Sequence, residues 1–411
     1  MTIERSHRYE NWLIVMAFFT TGCIFIDRFA AIYLSPLFVK DLHITQAEVG
    51  AVIGFLSVGW GFSGWVFGSL SDKYGRRLVI IPAVVFFSLF SVLTGLVQSF
   101  VQMIVARLLV GGAEGAALTP TVAIVSEEAS PQRRGLNLGV TLSSANLIGL
   151  ALTPVVITLL GNALGWRWGF ALSALPGLVL AAILWRYMRE PSTRHTAPQQ
   201  DRVSVFAVFR YRNIRLSIIS GFLFGTMSAS ANGFLPLYLT GPAYKLSLPT
   251  MGAILGAAGL AAFIANVAVP FLSDRVGRKP ALLISSVCMG SMSLVATFGL
   301  PLPLMVSIFT LLHLGAAGIP LAVGVIPTET VPKTVAASAV ALPVFAFEVV
   351  GSFVMPIVAG GIADALHNPA IPLIIGGAAA FIVVFITPFY RETAPARLAA
   401  LARSQPEPAQ A

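Results

Sequence analysis

Asp27 and Arg28 stand side by side inside one apolar run, and Arg107 and Glu114 stand seven residues apart inside another. Charge placed in hydrocarbon is costly, so such side chains turn toward a bundle interior and mark a path for ions or substrate. A guanidinium is the better clamp for an anion, because its planar fork grips a carboxylate through two hydrogen bonds. Burial and a neighbouring arginine act on a carboxylate in opposite directions, so either acid is a candidate to exchange a proton. With both acids ionised the four charges sum to zero. An entering anion would leave the site net negative, and one proton would restore the balance, which points to an organic anion moved with a proton. The competing account is a buried salt-bridge network without function. Arg107 and Glu114 fall within about 20° of one helix face, whereas neighbours such as Asp27 and Arg28 point about 100° apart.

Other polar residues share this setting. Glu348 lies in the middle of a later apolar run, followed by Gly351 and Pro356, and is a candidate proton site or a helix-packing element. Asn146, Ser143, Ser144 and Asn232 either line a cavity or bridge helices. His313 reads as a packing histidine, and it has no spaced His or Cys partner for a metal. Glu127 and Glu128, beside Arg133 and Arg134, read as a surface ion network. No ATP-binding loop, metal-ligand cluster or nucleophile–base arrangement is legible, so no cofactor or enzymatic activity is expected.

The elements that must position these residues follow from composition. Of 411 residues, 56% are hydrophobic and 10% are charged, against about 25% charged in soluble domains. Apolar runs of membrane length fall near 12–37, 47–70, 78–97, 100–125, 136–160, 167–188, 214–239, 248–272, 280–298, 304–326, 335–361 and 372–390. Twelve spans are therefore expected in an all-α membrane protein. The net charge of +9 is distributed by side and implies no nucleic-acid partner. Lys73, Arg76, Arg77, Arg133, Arg134, Arg275, Arg278, Lys279 and the arginines of 186–215 share one side, and the opposite loops hold Lys40, Arg167 and Lys245. By the positive-inside rule both termini are expected in the cytoplasm. The first run lacks a small-residue cleavage site and reads as a retained span. Cys23 and Cys288 fall within spans and read as packing residues. Gly149 with Pro154, Pro236, Pro320, Pro343 and Pro356 predict bent helices.

GSLSDKYGRR (68–77) returns as PFLSDRVGRK (270–279), with Asp72, Gly75 and Arg76 matched by Asp274, Gly277 and Arg278 at an offset of 202. Glycine permits the tight turn, and the cations remain at the anionic membrane face. Two copies at matching places among twelve spans resemble the major facilitator superfamily over nearly the whole chain. The second copy has Pro270 where the first has Gly68. The resemblance implies two pseudo-symmetric six-helix bundles, 1–188 and 214–390, joined by a cytoplasmic linker at 189–213 and followed by a tail at 391–411. It gives Asp72, Arg76, Asp274 and Arg278 a gating role that locks one half against the other.

FIDRFAAIYLSPLFVKDLHIT (25–45), RLLVGGAEGAALTP (107–120), SPQRRG (130–135), GWRWGF (165–170) and FLPLYL (234–239) further resemble the anion:cation symporter branch. That resemblance implies that Arg28 contacts the substrate anion, Asp27 and Glu114 join in proton coupling, and Arg107 pairs with an acid and organises the site. Where the branch often has Tyr this chain has Phe25 and Trp60, and Phe234 replaces a usual Trp. These three aromatics are expected to form an apolar wall that suits an aromatic or less hydroxylated carboxylate. The expected partners are a small organic anion, protons and the lipid bilayer. The expected form is a monomer in the inner membrane. Two alternatives remain: export of a drug-like or amphiphilic substrate, since spinster-like lipid carriers also carry Asp-Arg in the first span, and a non-transporting sensor or scaffold of the same fold.

Overall fold

A computed structural model describes residues 7–130, 132–191, 205–332 and 335–398. A chain in lipid must satisfy its own backbone polar groups, and each apolar run does so as a helix. Among the described residues twelve membrane-length helices result: α1 (Arg8–Leu42), α2 (Gln46–Tyr74), α3 (Arg76–Leu96), α4 (Phe100–Glu128), α5 (Arg134–Leu164) and α6 (Trp166–Tyr187), then α7 (Arg212–Thr240), α8 (Leu248–Val276), α9 (Arg278–Phe298), α10 (Leu302–Thr330), α11 (Ser338–Ala365) and α12 (Ile371–Phe389). Several extend beyond their apolar runs, because polar end residues continue the helix past the hydrocarbon. Most of the expected linker, 192–204, and the tail from 399 onward lie outside the described residues.

Small residues set the packing within the first half. Gly111 and Gly115 of α4 lie against the Leu56 and Trp60 carbonyls of α2, and Gly59 of α2 meets the Leu108 carbonyl of α4. A side chain at these points would force the backbones apart. The same device fastens the two halves. Gly50 and Gly54 of α2 lie against the Pro356 and Phe353 carbonyls of α11, and Gly360 of α11 lies against Gln46. Gly252 and Gly259 of α8 lie against the Pro154 and Leu150 carbonyls of α5.

These contacts involve the starts of α2 and α8 and the ends of α5 and α11. All fall on the side opposite the start of α1, here called the far side. Further along α2, Gly61 still meets Val349 of α11, but Gly64 and Gly68 meet Thr119 of their own half. Along α2, the glycine contacts with the opposite half thus lie on the far side and give way to contacts within its own half toward the terminal side.

The prolines bend the helices in a specific way. Residues Ala145–Leu152, Met227–Asn232, Leu321–Val325 and Ala346–Val354 are π-helical. Pro154 and Pro236 follow the first two, Pro320 precedes the third, and Pro343 and Pro356 flank the fourth. Proline donates no N–H, so the ladder slips one residue and opens a wide turn.

Candidate functional site

Asp27 and Arg28 face different neighbours, as their adjacency requires. Asp27 turns into its own half. Ser91 Oγ of α3 donates to its Oδ1 in a very close contact, and Ser91 also lies 3.0 Å from Ser173 Oγ of α6. Arg107 Nη2 donates to Asp27 Oδ2 at 3.3 Å and to Thr94 Oγ1 at 3.0 Å. The Arg107 guanidinium stands 5.2 Å from the Phe170 ring centre. The Arg107 and Asp27 side chains are 0% and 2% exposed, so this pair is sealed between α1, α3, α4 and α6.

Arg28 turns to the other half. Its Nη2 donates to Glu348 Oε2 of α11 at 2.7 Å and to Ser57 Oγ of α2 at 3.4 Å. Its guanidinium sits 5.1 Å from the Trp60 ring and 5.9 Å from the Phe25 ring. Glu348 rides on the π-helical turn Ala346–Val354. The sequence marked Glu348 but gave no sign that it meets Arg28 across 320 residues of chain. The balance of four charges becomes one of five, with a net charge of −1 when all are ionised.

Glu114 is fully buried, yet among the described residues neither of its carboxylate oxygens has a hydrogen-bond partner. It interacts electrostatically with Asp27, Arg28, Arg107 and Glu348. Sharing a helix face with Arg107 therefore does not produce a bond between them; Arg107 is taken by Asp27. Arg107 Nε and Nη1 and Trp60 Nε1 are also buried without partners among the described residues.

The remaining candidates divide. Asn146 Oδ1 accepts from Asn266 Nδ2 of α8 at 3.3 Å, a bridge between halves. Asn232 is half-buried at the end of the second π-helical turn. Phe234, expected in the apolar wall with Phe25 and Trp60, is 1% exposed within the apolar core, and Phe25 and Trp60 are the aromatics beside Arg28. His313 Nδ1 lies 3.0 Å from the Phe309 carbonyl four residues earlier.

The two loops are each built around one arginine. Arg76 pairs with Asp72 and with Glu127, each at 2.5 Å. Arg278 pairs with Asp274 and, at 2.7 Å, with Glu329. These bonds tie each loop to its own half. Glu127 thus belongs to a loop relay with Arg76, a correction to the surface network read with Arg133 and Arg134. The relay extends further. Glu190 accepts from the Arg76 and Arg77 N–H groups at 2.6 and 2.9 Å, and Glu392 accepts from Arg278 and Lys279 at 2.8 and 3.3 Å. Glu127 and Glu329, like Glu190 and Glu392, stand at the same offset of 202 as the loops. That offset was the available signal for all four.

A twelve-helix bundle of two related halves, with charges buried near their junction, defines a multi-pass membrane transporter fold. The Major Facilitator Superfamily model matches residues 17–342 and 217–410, and the chain belongs to that family. It is 30% identical over 265 residues to a probable 4-methylmuconolactone transporter of Cupriavidus pinatubonensis, covering 62% of this chain and 61% of that protein. It is 24% identical over 278 residues to a hexuronate transporter of Bacillus subtilis, covering 65% of each. The chain thus spans slightly less than two thirds of the length of these relatives. A crystal structure of a bacterial homologue of the human lysosomal transporter Spinster, inward-facing, shares the fold with a TM-score of 0.75 at 15% identity, over 97% of this chain and 99% of that one.

Proposed function

We propose that the protein is a secondary active transporter that carries an organic carboxylate, aromatic or sugar-derived, inward with protons by alternating access of its two halves. The observation that carries this reading is the division of labour among three buried acids. Asp27 is committed to Arg107 and Ser91, and Glu348 to Arg28. Among the described residues Glu114 has no hydrogen bond to lose, so it can take and release a proton without dismantling a pair. Arg28 is the anion anchor, at the junction of the halves and beside two aromatic faces. The names of the two relatives, one for a lactone and one for hexuronates, support the substrate class.

In this reading the halves are 1–188 and 214–390, joined by 189–213, and the excess of Lys and Arg on the terminal side places both ends in the cytoplasm. The far side then faces outward, and the protein works as a monomer in the inner membrane.

Uptake of labelled benzoate and glucuronate into proteoliposomes under an inward proton gradient tests this reading. Accumulation is expected, and its loss on collapsing the gradient. Arg28→Lys keeps the charge but loses the planar fork, and should weaken carboxylate binding by about 2–5 kcal/mol, at least ~30-fold. Unchanged binding would remove Arg28 from the site. Gradient-independent export of hydrophobic cations with no acid uptake would overturn the symport reading.

A further inference from the structure

The guanidinium assigned to the substrate is already engaged. Trp60 and Phe25 flank Arg28 at 5.1 and 5.9 Å from its central carbon, which leaves its edge for acceptors. At that edge stands Glu348 Oε2, 2.7 Å from Nη2, with Ser57 Oγ the weaker acceptor at 3.4 Å. A glutamate side chain offers the same group as the substrate class proposed above: a planar carboxylate seeking the same donors.

We propose that Glu348 is a tethered competitor for the substrate, holding Arg28 in the empty carrier and giving it up to an incoming carboxylate. The inference rests on the reading of Arg28 as the anion anchor. Three observations favour a displaceable pair over a fixed strut. The Arg28 and Glu348 side chains are 14% and 10% exposed, whereas the Arg107–Asp27 pair is sealed, so the first pair is the one that solutes reach. Glu348 sits on a π-helical turn between Pro343 and Pro356, where the helix is least regular and best able to redirect a side chain. It also comes from the opposite half, so exchange of acceptor need not disturb the anchor's own helix.

Such competition would have two effects. An uncharged analogue cannot compete for a guanidinium held by a carboxylate, so Glu348 screens for anions. A substrate that displaces Glu348 also releases a tie between α1 and α11, making occupancy and the loosening of one interhalf contact the same event.

The test is carboxylate binding by the purified full chain, with benzoate and glucuronate as probes, comparing wild type with Glu348→Gln and Glu348→Ala. Removing a competitor that holds the anchor most of the time should lower Kd by about tenfold or more. Binding detected only in the variants supports the inference equally. Unchanged or weaker binding by folded variants, with thermal unfolding as the check, overturns it and makes Glu348 a strut. Failure of both variants to fold also makes Glu348 a strut and overturns the inference. Arg28→Lys separates the two readings. If it abolishes binding while Glu348→Gln changes nothing, only the competitor falls. If it changes nothing, or if no protein binds a carboxylate, the anchor falls too.

Discussion

Glu114 combines full burial with a carboxylate unpartnered among the described residues, an arrangement that a purely structural role does not explain. A buried acid that only held helices together would be paired, because an unpaired buried charge costs several kcal/mol. Glu114→Gln should therefore leave the protein folded and able to exchange substrate across the membrane. It should abolish accumulation driven by a proton gradient. Counterflow and gradient-driven uptake in the same proteoliposomes measure the two separately, and intact accumulation would transfer coupling to Asp27 or Glu348. The identity of these residues was legible, because charge in an apolar run stands out in any sequence. Their partners were not. Ser91 and Thr94 are small polar residues that occur in many spans, and Arg28 meets Glu348 only because two halves come together. Adjacency did foretell that Asp27 and Arg28 would serve different partners.

At the scale of helices, the interrupted spans were readable from Pro154, Pro236, Pro320 and Pro343 with Pro356. Their accommodation as π-helical turns depends on how neighbours fill the opened ladder, which no local pattern records. The glycines of α2 and α11 were less legible still, because a glycine in a membrane helix carries no mark of what it faces. Gly50 and Gly360 turn out to lie against backbone of the opposite half. Nearby, Asp364 of α11 accepts from the Gln46 and Ala47 N–H groups at 3.0 and 2.9 Å, capping α2 from across the junction. A carboxylate there is favoured by the helix dipole as well as by the bonds. Gly50→Val places a side chain against the Pro356 carbonyl and should disfavour the closed far side by about 1–3 kcal/mol, a shift of roughly 5–150-fold between states. Pulsed EPR distances between labels at the exposed Lys40 and Leu366 report that shift as a smaller closed population. An unchanged distribution would show that the α2–α11 contact does not set the far-side closure.

At the scale of the whole molecule, the two halves repeat a mechanical part as well as a helix count. Gly75 and Gly277 have φ of 116° and 115°, a backbone region that strongly favours glycine. Each loop arginine reaches a glutamate at the end of the fourth helix of its half, and Glu190 and Glu392 cap α3 and α9. The loop was visible in sequence, whereas its acidic partners carry no motif of their own and share only the offset of 202. The relay bonds hold each loop to the fourth helix of its own half and to the segment after its sixth, and under the proposed alternating access they would stiffen the two bodies that move. Glu392 allows a test through pH. Burial pushes its carboxyl up, but backbone N–H donors from Ala394, Arg278, Lys279 and Thr393 outweigh this and hold it below the ordinary carboxylate range. A depressed value means that its contribution to stability is present above the unfolded glutamate value of about 4.3 and is lost as pH falls through the lower folded value. Glu392→Gln should therefore unfold at a lower temperature than wild type at neutral pH, and the two melting temperatures should converge as pH falls through the lowered folded value. A Tm difference that stays constant down the acid series would show that the charge of Glu392 does not hold the start of α9.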